Sequence, residues 1–344
     1  MTTLLTDFKK EYRDRLLGIL WRQWTTLGVS GYGETWKGSV IDPEALLLFS
    51  CTILRYDARL FDAVLEWLRV NGRFINVQRT KRMLKTENFT GETVVSALAA
   101  VIKNSVHEAK WARLASKKVN AENNPEPLFF LKDGRPIPVM RQEDPLFLKY
   151  GFSRTLFKER GVALRFRPEL QGNLLLRLRA LLGVNARCEI LAYLMLNDRG
   201  SPRAMARDCY YYPATVSKAL ADMSQSGYVV SQTEGRHRYY KLISDQWRDL
   251  LLGKSAPQLW VVWARLFSAL EQVWLFLNRT DLAEKPPLVQ SSALRRLLKD
   301  PVISQLNRAG LSFMFGNDSA YPAETLVPFF IERMTVLLDK LENR

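Results

Sequence analysis

Residues 236–239 read Arg-His-Arg-Tyr, the side-chain types that a phosphoryl-transfer site combines: cations to hold a phosphate, an imidazole to move a proton, a phenol as nucleophile. They are neighbours on what reads as one hairpin, whereas catalytic groups must converge on a phosphate from separate elements. Simple phosphate contact by Arg236, His237 and Arg238 is therefore the expectation. Gly31-Tyr32-Gly33, with Gly38-Ser39 after it, lacks both the Gly-Lys-Ser/Thr ending and the preceding strand of a phosphate-cradling loop, and reads as a turn. No Gly-x-Ser-x-Gly, His-Glu-x-x-His or paired-carboxylate pattern stands in a context that supports hydrolysis. The three cysteines (Cys51, Cys188, Cys209) and two histidines (His107, His237) are scattered, so neither a disulfide framework nor a Cys/His metal centre is expected. No catalytic residue, metal or cofactor is assigned, and the chain reads as a non-enzymatic protein.

A second set of residues has the chemistry of recognition. A helix opened by Pro213 places Val216, Ala219, Leu220 and Met223 on one apolar stripe and presents Ala214, Thr215, Ser217, Lys218 and Asp222 on its other side. Small, hydrogen-bonding and cationic groups on an exposed helix suit the edges of bases in a major groove. Ahead of it, residues 186–196 predict a helix with Ile190, Leu191, Leu194 and Met195 inward. Ser201-Pro202 then caps and starts another, carrying Arg203 and Arg207 toward a nucleic-acid backbone or toward solvent. Gly227 ends the third helix, and residues 228–233 and 237–243 read as strands joined by a tight Glu234-Gly235-Arg236 turn. Alternation in the second strand predicts basic and apolar groups on opposite faces.

The run ArgCysGluIleLeuAlaTyrLeu, SerProArgAlaMetAlaArgAsp, ProAlaThrValSerLysAlaLeuAlaAspMetSerGlnSerGlyTyrVal and a GluGlyArgHisArgTyrTyr hairpin resembles the winged helix-turn-helix of bacterial ArsR/MarR-type transcription regulators. ThrValSerLysAlaLeu followed by SerGlyTyrVal is the specific part, and the resemblance covers about a fifth of the chain. It implies that residues 213–226 are the recognition helix and 233–239 the wing. This sequence departs from that pattern before the recognition helix, where a glycine and a serine cap are common and Cys209-Tyr210-Tyr211-Tyr212 stands instead. Tyr211 and Tyr212 are candidates for hydroxyl contacts to phosphate, with core packing the alternative for part of the triplet.

The remaining elements must hold this unit. Helical periodicity predicts helices over 6–27, 43–54, 58–70 and 92–119, then 174–182, 259–278, 291–299 and 323–341. The expected fold is mainly α: a central winged helix-turn-helix, three helices plus a β-hairpin wing, between N- and C-terminal helical domains. The divisions are an N-terminal helical domain over 1–120, a Pro-rich connection over 121–160 with a short hairpin at Asp133-Gly134, the DNA-binding domain over 161–250, and a C-terminal helical domain over 251–344. The 259–278 helix is apolar on most of its circumference. It needs cover on nearly every side, from its own domain or from a second subunit, so a homodimer reading two half-sites is expected.

With 344 residues, 47% hydrophobic and 25% charged, the chain is of ordinary folded composition, but its net charge is +15. That excess implies a polyanionic partner. Residues 69–85 carry six positive and no negative side chains, and 149–187 carry nine against two. Residues 188–249 carry eight against seven, so the charge lies mostly outside the recognition motif. Within the first stretch, Asn76 can cap a helix over 77–84, a candidate second DNA contact beside the ordinary reading of a solvated basic face. No secretory signal is read at the start, and the most apolar stretch holds Arg265, Glu271 and Gln272, so no membrane span is expected and the setting reads as cytoplasmic. The sequence thus points to a sequence-specific double-stranded DNA-binding transcription regulator, with an effector or protein partner for its helical domains. The alternative is a winged-helix replication initiator or partner-binding protein without a regulatory role, distinguished by a second winged unit over 58–84.

Overall fold

Local caps written in the sequence start three of the first helices. α1 spans Thr2–Leu27, α2 Pro43–Ile53, α3 Ala58–Asn71, α4 Val77–Glu87, α5 Glu92–Ile102 and the short α6 Glu108–Trp111. Asp42 accepts from the Ala45 amide at 3.2 Å, Asp57 from Leu60 at 3.0 Å and Asn76 from Arg79 at 3.1 Å, each satisfying a first-turn N–H that has no helical partner. The coordinates are a computed structural model and describe residues 2–31, 33–103, 108–115, 124–243, 246–252, 260–279, 285–311 and 322–343. Tyr32, His107, Leu259 and parts of the helix predicted over 92–119 lie outside the described residues.

β1 (Glu126–Pro127) pairs in parallel with β2 (Phe152–Ser153), and α7 (Pro145–Leu148) lies between them. Residues 124–160 are not a free connection. Leu128, Phe147 and Phe152 are buried in the same core as the preceding helices, because the prolines punctuate a chain that still carries aromatic side chains to bury. The turn at Asp133-Gly134 does form, with Gly134 at φ +87° and a bridge between Phe130 and Pro136. α8 (Leu174–Leu182), α9 (Ala186–Leu196), α10 (Pro202–Asp208), α11 (Pro213–Gln225), the antiparallel strands β3 (Val229–Glu234) and β4 (His237–Leu242), and α12 (Gln246–Leu252) make the middle of the chain. α13 (Trp263–Leu277), α14 (Pro287–Leu297), α15 (Ile303–Arg308) and α16 (Ala323–Glu342) close it. The fold is mainly helical.

The division into separate N- and C-terminal helical domains is corrected by the packing. One apolar cluster runs from Leu5 on α1 through α2, α3 and α5 to α13 and α16. Phe49 of α2 stacks on Phe267 of α13 with ring centroids 4.6 Å apart, and the Tyr12 hydroxyl of α1 donates to the Leu270 carbonyl at 3.0 Å. Arg15 of α1 holds Asp339 and Glu342 of α16. α13 is therefore the central helix of a shared body, nearly all of its residues buried. The apolar circumference that argued for a homodimer is covered within the chain. No described helix is long and apolar enough to cross a membrane.

Candidate nucleic-acid interface

α9, α10, α11 and the β3–β4 hairpin enclose a small core of their own, in which Ile190, Leu194, Met205, Val216, Leu220, Val229 and Tyr240 are buried together. α9 begins after Asn185, whose side chain accepts from the Arg187 amide, and α10 after Ser201, which accepts from the Ala204 amide at 3.2 Å. α11 starts at Pro213 with no side-chain cap and stops before Gly227, which adopts φ +79°. The hairpin register pairs Glu234 with His237 across Gly235-Arg236, and Gly235 takes the positive φ that a two-residue hairpin turn of this kind requires. Gly200 exchanges hydrogen bonds of 2.9 Å with Tyr240 in both directions. A Cβ there would lie 2.6 Å from the Tyr193 ring, so no larger residue fits without displacing that ring.

The predicted residues fall into three groups. Thr215, Ser217 and Lys218 are exposed on α11 while Val216, Ala219 and Leu220 are buried, as the stripe requires. Arg236, His237 and Arg238 are exposed at the hairpin tip. The alternation along β4 is corrected in one respect. Arg238 shares its face with Tyr240 and Leu242, donates to the Ser231 hydroxyl at 2.9 Å and projects beyond the small core, so charge and apolar groups are separated by distance from that core and not by face. Arg199 fixes the hairpin from below, paired with Glu234 and lying over the Tyr239 ring. Arg203 is exposed and lines a crevice with Arg82, Arg207 and Pro213.

The tyrosine triplet divides. Tyr210 sits at φ +60°, the left-handed region that normally favours glycine and costs an L-residue roughly 1–2 kcal/mol. Its hydroxyl donates to Glu87 at 2.7 Å, and the carbonyl of Cys209 beside it accepts from Arg79 at 2.9 Å. Tyr211, expected at a phosphate, is corrected to an internal role: its hydroxyl donates to Glu189 at 2.8 Å and accepts from Asn76 at 2.9 Å. Burial first, then the Glu189 carboxylate, push this phenol well above its usual range, so it stays a donor. Tyr212 is 69% exposed, with the Arg82 guanidinium over its ring at 4.0 Å.

Behind the triplet lies a buried ionic network. Arg79 pairs with Asp42 and Glu44 at 2.5 and 2.6 Å, and Arg179 pairs with Glu44 and Glu189 at 2.7 and 2.6 Å. Burial alone would raise the Glu44 pKa, but the guanidiniums of Arg179 and Arg79 outweigh it and hold the carboxyl at about 2. A second group joins Arg265 of α13 to Asp208 at 2.9 Å and sets it 3.7 Å from Glu87. The turn before α11 is thereby fastened to α2, α4, α8 and α13. Glu44 in an otherwise uncharged helix, Arg179 in LeuLeuLeuArgLeuArgAlaLeuLeu and Glu189 beside Ile190 were the sequence signals for this network, each a charge set among core positions.

Little in this region resembles a reactive centre. The three cysteines are buried, and burial pushes their thiols up, Cys188 to about 12, which leaves them protonated and poorly nucleophilic at neutral pH. Among the described residues no group of three or more His, Cys, Asp or Glu side chains is placed to hold a metal ion. No family model, no curated protein and no solved structure matches this chain.

Proposed function

We propose that this chain is a non-enzymatic, sequence-specific double-stranded DNA-binding transcription regulator that reads its site with a winged helix-turn-helix formed by α9, α10, α11 and the β3–β4 wing. The observation that carries this reading is the exposed face of α11, where Ser217 and Lys218 stand beside Ala214 with no partner among the described residues, on a helix whose other face is packed. Polar groups so placed on a rigid helix can exchange water for base edges. The cationic hairpin tip at Arg236, His237 and Arg238 supports the same reading by offering positioning contacts to phosphate or to the minor groove.

The initiator alternative required a second winged unit over 58–84. Those residues fold as α3 and α4, and the chain runs on from α4 into α5 with no hairpin between them, which favours the single-head reading.

Gel-shift titration with the promoter region of its own gene tests the proposal. A sequence-selective shift at moderate salt is expected, and its absence counts against it. Ser217→Ala with Lys218→Ala should change which sequences are preferred, by about 1–3 kcal/mol at the affected positions. Arg236→Ala with Arg238→Ala should weaken binding to every duplex and flatten the dependence on salt.

A further inference from the structure

α4 lines a cavity of about 960 Å³ whose other wall is formed by Tyr210, Tyr211 and Tyr212, the residues leading into α11. Lys81, Arg82 and Lys85 face it from α4 and Arg113 lines it too, with Glu92 the only acidic side chain lining it among the described residues. Lys81 and Lys85 are exposed, one helical turn apart, and have no ion-pair partner among the described residues. The Arg82 guanidinium is held over Tyr212, and its Nη1 is shielded from solvent with no acceptor among the described residues. An anionic oxygen at this place would accept from it in a charge-assisted hydrogen bond. Beside it, the N-terminus of the 13-residue α11 carries no side-chain cap and so keeps its partial positive charge and free amides. The adjoining crevice brings Arg203 and Arg207 against Pro213.

From this juxtaposition we infer that α4 is a second DNA contact, a phosphate track that carries the backbone of the bound duplex past the start of α11. The inference rests on the DNA-binding reading above and extends it to a part of the chain outside the winged unit. Arg82, held by Tyr212, and the pair Lys81 and Lys85 neutralise successive phosphates and read no bases. Row-like spacing and adjacency to Tyr212 and Pro213 at the start of α11 favour a polymer backbone over a small anionic effector.

The test uses the full chain and two duplexes of equal length, its own promoter region and an unrelated sequence, titrated over a range of salt. K81Q/R82Q/K85Q should bind both duplexes roughly tenfold or more weakly near 0.1 M salt, with a log–log salt slope shallower by about 2–3 and an unchanged ratio between the two. Unchanged affinity and slope in this variant, while R236A/R238A still weakens binding, overturn the track and leave the winged reading standing. Failure of the unaltered protein to bind either duplex overturns both. Binding of a nucleoside triphosphate that is lost in K81Q/R82Q/K85Q, with duplex affinity unchanged, assigns the cavity to a small effector and also overturns the track. Circular dichroism melting of K81Q/K85Q, both exposed positions, separates loss of contact from loss of fold.

Discussion

Residues 69–85 and 149–187 carry nearly equal excess charge, six and seven, and place it differently. In 149–187 most of the cations are turned inward or paired. Arg154 is buried against Asp62 among the rings of Phe129, Phe147 and Phe157, Arg179 lies between Glu44 and Glu189, Arg177 donates to the Leu251 carbonyl, and Arg167 and Arg187 hold Glu169 and Asp222. In 69–85 Arg79 joins the buried network and Arg69 pairs with Glu159, but Lys81, Arg82 and Lys85 face the cavity beside α11. Nearly equal charge in two segments of one chain is therefore placed in two ways: mostly turned inward or paired within the chain in 149–187, and gathered in part on one cavity wall in 69–85.

The comparison breaks most sharply at Arg179. Arg179→Ala leaves Glu44 and Glu189 short of a buried cation and should cost about 3–5 kcal/mol in denaturant unfolding, whereas K81Q/K85Q should stay within about 0.5 kcal/mol. Equal losses in the two variants would erase the distinction. Next in size is a pH effect at Glu271, a buried carboxyl of α13 that faces the hydroxyls of Thr52 and Thr90 and, among the described residues, pairs with no cation. Burial, only partly offset by those hydrogen bonds, raises its pKa to about 7 from 4.5. Between those values the folded state holds a proton that the unfolded state has released. Stability should thus fall by about 3 kcal/mol as pH rises through the window, and Glu271→Gln should flatten that fall. Glu44 has the opposite sign, because its arginines make it contribute above pH 4.5 and lose that contribution as pH falls toward about 2. The smallest effect belongs to the exposed Arg167–Glu169 pair: Arg167→Ala should change stability by less than about 0.5 kcal/mol and leave DNA affinity unchanged, and a larger change would place that pair in the first class.

What could be read from the sequence was local. Asp42-Pro43, Asn76 and Ser201-Pro202 fix their helices through side chains within three residues, and the bounds of α9 and the start of α11 follow from nearby Asn185 and Pro213. The exposed Thr215, Ser217 and Lys218 follow from a 3.6-residue period. The shared core did not follow, because Phe49 and Phe267 find each other across more than two hundred residues and nothing near either one names its partner. The same limit applies to Arg179 and Arg187. They are alike in the sequence and eight apart, yet one meets Glu44 in the interior and the other Asp222 at the surface. Tyr211 was misread for the same reason, since its acceptor Glu189 and its donor Asn76 come from different regions of the fold.

Glu189 makes the unit of α9, α10, α11 and the β3–β4 hairpin a poor portable module. Excised as residues 186–243 and grafted onto another scaffold, it would carry a carboxylate whose cation, Arg179, stayed behind on α8, together with a Tyr211 stripped of Asn76. The smallest transplantable fragment must begin at α8, or must replace Glu189 by an apolar side chain of similar volume, a change that buried ion pairs often tolerate when both charges leave together.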